Sequence, residues 1–195
     1  ALFDMDDREV LYSKDVFERM YPASITKIMT ALVAIKEGDL KSRVLVTDDA
    51  VITEPGATLC GIEPGDTLTL EQLLYGLMLP SGNDAGAAIA VHIAGSIEAF
   101  SDMMNEEAVR LGATGTHFVN PHGLNDPDHY TTAYDLYLIF NEALKYPVFR
   151  QIVGTTAYTA NYHNKNSEPV SKTWKGSNWF MTGERETPDG LKVFG

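Results

Sequence analysis

Ser24 and Lys27 are the residues whose types and spacing offer chemistry. Three positions apart on a helix, their side chains fall on one face within reach of each other. Burial disfavours an ammonium, and the positive partial charge of a helix N-terminus disfavours it further, so both effects push a lysine there towards the neutral amine. A neutral amine takes a proton from a serine hydroxyl, which activates a serine nucleophile without any histidine. The N–H groups of the first helical turn add a pocket for an oxyanion. The spacing by itself proves little, because average composition gives about one Ser-x-x-Lys in a chain of this length. It occurs once. The plain alternative is a Lys27 that snorkels to the surface.

The element that must hold this pair runs from Tyr21-Pro22-Ala23-Ser24 to Ile35, with Lys36-Glu37-Gly38 closing it at a C-terminal glycine. Ile25, Ile28, Met29, Leu32 and Ile35 follow helical spacing, and Ala31, Val33 and Ala34 make the other faces apolar. A helix apolar nearly all round is a buried helix, which makes Lys27 out of place. A second corner is Ser81-Gly82-Asn83. Pro80 stops the preceding helix, Gly82 lets the backbone turn tightly, and the hydroxyl and amide then point into whatever the break faces. A simple N-cap for the next helix is the competing reading.

Around these corners the chain reads as strands, a long helical middle, and strands again. Ala1 to Met5 and Arg8 to Tyr12 form a hairpin around the acidic turn Asp6-Asp7. Arg43 to Val46 is a short strand, and residues 53–66 form a loop rich in Gly, Pro and Thr. Thr69-Leu70-Glu71-Gln72 is a capping box for a helix with Leu70, Leu73, Leu74, Leu77 and Met78 on its apolar face. Asp84 to Ile93 is a helix of small residues, Ser96 starts another that ends at Gly112, and Asn120 to Tyr130 is a long polar loop. Thr132 with Asp135 caps a further helix, a shorter one covers Val148 to Val153, and from Thr155 the pattern turns to strand and loop, with Trp174 and Trp179 partly buried.

The chain has 195 residues, 44% hydrophobic and 22% charged, with a net charge of −12. That is enough for one domain with a substantial core. The acidic balance argues against nucleic acid and anionic membranes as partners. One cysteine, Cys60, permits no intrachain disulfide. Without a basic neighbour in sequence it reads as structural rather than reactive. There is no signal peptide and no long apolar run; the first residues already belong to a strand pattern, as they would after removal of a leader. His92, His117, His122, His129 and His163 show no metal-ligand spacing, so neither metal nor cofactor is expected, and His122 and His129 read as ordering the polar loop.

Met20 to Leu32 and Leu73-Leu74-Tyr75-Gly76-Leu77-Met78-Leu79-Pro80-Ser81-Gly82-Asn83-Asp84-Ala85 resemble the D-alanyl-D-alanine carboxypeptidases among the low-molecular-mass penicillin-binding proteins. The opening hairpin, Gly61 to Asp66, and Phe118 to Leu124 resemble that family too, so the likeness covers almost the whole chain. It implies an α/β (α+β) fold of the penicillin-binding protein and serine β-lactamase type, an antiparallel sheet with a helical lobe. The chain would be a single transpeptidase-like catalytic domain over residues 1–195. Strand elements would lie near 1–12 and 155–195, and the helical lobe roughly over 45–153.

The resemblance assigns roles. Ser24 is the nucleophile acylated by the terminal peptide carbonyl and Lys27 its general base; Ser81 relays a proton towards the leaving amine, and Asn83 positions Lys27 or the substrate. It implies peptidoglycan stem peptides as substrates, β-lactams as acylating inhibitors, an extracytoplasmic bacterial location, and a membrane association only through segments absent here. The family's third motif, Lys-Thr-Gly or Lys-Ser-Gly, is not found; Lys172-Thr173-Trp174 lacks the glycine. The expectation is a chain incomplete at its C-terminus, with that motif beyond Gly195, the alternative being a degenerate site at Lys192. Tyr162-His163-Asn164 imitates a Tyr-x-Asn variant of the second motif. Two other readings are a serine β-lactamase, with Asp126 or Asp128 as deacylation base, and a non-catalytic wall-peptide binding module.

Overall fold

The computed structural model describes residues 2–4 and 9–187. The acidic turn Asp6-Asp7 and the segment 188–195, with Lys192, lie outside them. Two antiparallel strands, β1 (Leu2–Asp4) and β2 (Glu9–Tyr12), form a sheet of their own. The second sheet runs β3 (Arg43–Leu45), β4 (Thr67–Thr69), β5 (Ala157–His163) and β6 (Pro169–Lys175), antiparallel throughout. The order follows sequence, although the 87 residues 70–156 lie between β4 and β5; a single register contact, Thr67 with His163, joins them.

The helices fill that interval. They are α1 (Lys27–Glu37), α2 (Leu70–Met78), α3 (Asn83–Ala94), α4 (Ile97–Leu111), α5 (Ala133–Ala143) and α6 (Pro147–Val153), followed after the sheet by the short α7 (Trp179–Thr182). α1 sits at the centre and touches α2, α3, α4, α5 and α6. Its Met29, Ala31, Leu32, Val33 and Ala34 are buried with Leu73, Leu74 and Leu77 of α2, Ile89 of α3, Phe100 and Met104 of α4, and Phe149 of α6. The alanines of α3 let it lie close to α2: a methyl at Gly86 would stand 3.3 Å from Leu77 Cδ1.

The caps explain why the helices start where they do. Thr69 accepts from the Gln72 N–H while Gln72 Oε1 accepts from the Thr69 N–H, completing the expected capping box. Ser96 and Thr132 cap α4 and α5 with one bond each, accepting from the N–H groups of Ala99 and Asp135. Gly112 ends α4 in the left-handed conformation that glycine tolerates best.

Two local expectations need correction, those for Ile25 and for the tryptophans, whereas Gly38 does close α1, with an extended backbone, φ −100°. Glycine is required there by space, since a Cβ would meet Leu70 Cδ2 and stand 2.8 Å from the Ala34 carbonyl. Ile25 is exposed, because it lies on the turn before α1. Trp174 is buried, with its indole N–H donating to the Cys60 carbonyl at 2.9 Å, whereas Trp179 is half exposed and carries Arg185 over its ring.

Candidate active site

The expected helix start is two pieces. Ala23–Thr26 form a 3-10 turn and α1 proper begins at Lys27. The tighter turn uses up donors that the sequence suggested for an oxyanion: the Ile25 N–H goes to the Pro22 carbonyl and the Lys27 N–H to that of Ser24. Ala23 is forced to φ +48°, a conformation that costs a residue with a Cβ about 1–2 kcal/mol. The polar loop pressed against it accounts for this. Gly123, at φ +85°, lies so close that a Cβ on it would overlap the Ala23 carbonyl oxygen.

Lys27 is buried, 2% exposed, so it does not snorkel. Its Nζ lies 3.2 Å from Ser24 Oγ, 2.7 Å from Asn83 Oδ1 and 2.7 Å from the His122 carbonyl oxygen. The last two partners can only accept. A neutral amine has two N–H bonds and one lone pair, so with both hydrogens committed to Asn83 and His122 the lone pair is left for the Ser24 hydroxyl. Burial lowers the Lys27 pKa to about 8, and the charge of Asp84 opposes that shift. The neutral amine is thus accessible near neutral pH, with its lone pair left for the Ser24 hydroxyl.

The second corner differs from its expected form. Ser81, not Gly82, takes the positive φ, +61°, and its Oγ is buried without a hydrogen-bond partner among the described residues. It does not cap α3, whose N-cap is Gly82 with no side-chain bond. Nor does it reach Lys27 or Ser24 directly. Gly82 is needed because a Cβ there would stand 2.7 Å from the Gly76 carbonyl and 2.8 Å from both Asp84 Oδ1 and Cys60 Cβ. Ser24 and Ser81 line one cleft of about 300 Å³, walled by Ile25, Ile28, Leu79 and Phe149 among others.

The polar loop closes the other side. Asn120 Oδ1 accepts from the N–H groups of His122 and Gly123, and Thr30 Oγ1 donates to the Pro121 carbonyl at 2.6 Å. His129 Nδ1 accepts from the Val119 N–H, so its proton sits on Nε2 and is given to Thr26 Oγ1, 2.8 Å away. Burial pushes both His122 and His129 down to about 4, and each is neutral at pH 7. These histidines order the loop, and through Thr26 they order the turn that carries Ser24.

The remaining candidates stand elsewhere. Tyr162, His163 and Asn164 close the β5 end of the sheet, with Asn164 bonded to Glu168. Lys172 donates to the Gly61 carbonyl. Asp126 accepts from the Asp128 N–H, and neither carboxylate bonds to Ser24 or Lys27. Cys60 is buried, its thiol pushed well up by burial and by Asp84. No group of three or more His, Cys, Asp and Glu among the described residues could hold a metal ion. Sequence reasoning missed Asp84, Gly123, Thr26 and the His122 carbonyl. A carbonyl leaves no trace in residue type, but a glycine following Asn-Pro-His was a signal of close backbone approach.

A family model described as D-alanyl-D-alanine carboxypeptidase, Peptidase_S11, matches residues 1–193. The D-alanyl-D-alanine carboxypeptidase DacF of Bacillus subtilis is 40% identical over 159 residues, 80% of this chain and 41% of that protein. The D-alanyl-D-alanine carboxypeptidase DacB2 of Mycobacterium tuberculosis is 40% identical over 169 residues, 86% of this chain and 56% of that one. The chain therefore spans about half the length of these curated relatives. The crystal structure of the Streptomyces K15 DD-transpeptidase superposes with a TM-score of 0.86 at 33% identity, over 93% of this chain and 73% of that one. The mixed helix and antiparallel-sheet architecture is thus that of the DD-transpeptidases.

Proposed function

This chain belongs to the D-alanyl-D-alanine carboxypeptidase family, and from that premise we propose that it is the catalytic part of a serine-type D-Ala-D-Ala carboxypeptidase, acting outside the cytoplasm on peptidoglycan stem peptides and acylated by β-lactams. The observation that carries the reading is the Lys27 amine, held by two acceptor-only partners with its lone pair facing Ser24 at 3.2 Å.

Lys27 takes the hydroxyl proton as Ser24 Oγ bonds to the carbonyl carbon before the terminal D-alanine. The C–N bond then breaks, and the proton passes from Lys27 to the departing amine, with Ser81 as the relay on the cleft side. Its unpartnered hydroxyl is free to accept from one group and donate to another. Asn83 keeps Lys27 in line throughout. Water then attacks the acyl ester, returning Ser24 and releasing the shortened peptide. A β-lactam opens by the same attack. Fast release of that adduct needs an acidic base near the ester, and neither Asp126 nor Asp128 bonds into the site, so a stable penicilloyl adduct is expected and not drug turnover. No helix among the described residues is long and apolar enough to cross a membrane.

Intact-protein mass spectrometry after incubation with benzylpenicillin, followed by peptide mapping, tests this. One penicilloyl adduct on Ser24, absent from Ser24→Ala, is the expected result. An adduct elsewhere, or one that survives the substitution, would remove Ser24 from its role.

A further inference from the structure

Asp84 is 1% exposed and no part of the chemistry above uses it. Its two carboxylate oxygens accept four main-chain N–H groups. Oδ1 takes those of Cys60 and Ala85, both at 2.9 Å; Oδ2 takes those of Gly61 at 2.7 Å and Ile62 at 3.1 Å. Three of the four belong to a segment with no regular structure, whose carbonyls are held from the opposite side: Trp174 donates to Cys60 and Lys172 to Gly61. The same segment takes the Asn83 N–H on the Thr58 carbonyl at 2.9 Å. Asn83, whose side chain holds the Lys27 amine, is therefore fixed to this brace by its own backbone and by the next residue's side chain.

Asp84 also acts at a distance. No ion pair joins it to Lys27, yet its charge is the electrostatic influence that opposes burial on the Lys27 amine. His122, whose carbonyl holds Lys27, and His129 are both neutral at pH 7, and the thiol of Cys60, beside Asp84, is held in its neutral form. Between a carboxylate and an amine that are both buried, the attraction is weakly screened by salt.

We propose that Asp84 is a positioning residue for the acylation step: it ties the 58–62 segment to the start of α3 so that Asn83 stays on Lys27, and it places a buried carboxylate on the residue next to the one that holds the Lys27 amine. This rests on the reading of Ser24 and Lys27 given above. Removing the charge while leaving an amide of similar shape should make Lys27 give up its proton at lower pH, since the opposing attraction is gone.

The test is an NMR titration of the chain carrying 13C-labelled lysine and aspartate, alongside the pH dependence of penicillin acylation. In the unmodified chain the Asp84 carboxyl carbon should show a step at the pH where the Lys27 ε-carbon titrates. In Asp84→Asn the Lys27 midpoint, and with it the acid limb of acylation, should move down by at least about half a pH unit. A folded Asp84→Asn chain with lowered acylation but an unmoved Lys27 midpoint would show a structural role only and overturn the proposal. If that variant does not fold, the unmodified chain decides: an Asp84 carbon that ignores the Lys27 titration overturns it equally. Should penicillin label nothing at any pH, the peptidase reading falls, while the NMR titration still judges Asp84.

Discussion

Replacing Gly123 by alanine probes how the polar loop holds the serine turn. The backbone there, at φ +85°, costs an alanine about 1–2 kcal/mol before any contact is considered. The new methyl would overlap the Ala23 carbonyl oxygen and stand 3.0 Å from Thr26 Oγ1. Non-bonded atoms sit best at about 3.5–4.0 Å, so loop and turn must part by on the order of 1 Å. The next residue back supplies the carbonyl that holds Lys27 at 2.7 Å. Parting to that degree breaks this bond and leaves a buried N–H without a partner, at about 1–3 kcal/mol. Together these give about 2–5 kcal/mol of lost stability, read as a fall in Tm of several degrees. A reacting group displaced by about 1 Å loses on the order of a hundredfold in rate. Acylation by a fluorescent penicillin, measured below the new Tm, should fall by that factor in Gly123→Ala. A variant that labels within threefold of the unmodified rate would refute the argument that loop contact positions Ser24 and Lys27.

Three further outcomes follow from the same structure. The acylation rate should climb with pH through about 8, the Lys27 value, because only the neutral amine accepts the serine proton; about a tenth of molecules carry it at pH 7, so the rise to the plateau is about tenfold. A rate flat to pH 9 that rises only near the ordinary lysine value of about 10.4 would contradict this. The same lysine costs stability, fully below pH 8 and not at all above 10.5, since the unfolded chain binds the extra proton between those values. Thr69→Ala removes the capping box of α2 and should cost about 1 kcal/mol, or roughly 2–4 °C in Tm. Acylation per folded molecule should stay unchanged, and a large loss of labelling would show that α2 transmits strain to Ser81.

Much of this molecule was legible in its sequence because the forces concerned are local. Thr69, Ser96 and Thr132 announce helix starts through bonds closed within a few residues, and the leucines of α2 face the core because a 3.6-residue period leaves them no other side. Lys27 in an apolar helix declared a buried, perturbed amine for the same reason: burial of that helix was written in its neighbours. What tertiary structure alone decided is where long-range backbone meets the site. The 3-10 turn at Ser24, the strained Ala23 behind it and the positive φ at Ser81 depend on contacts with segments about 20–100 residues away. Gly38, Gly82 and Gly123 are each short of space, and Leu70, Cys60 and Ala23, which crowd them, come from distant parts of the chain. The acceptor that fixes the Lys27 lone pair is a carbonyl, common to every residue, so only its placement by the folded loop gives it a function.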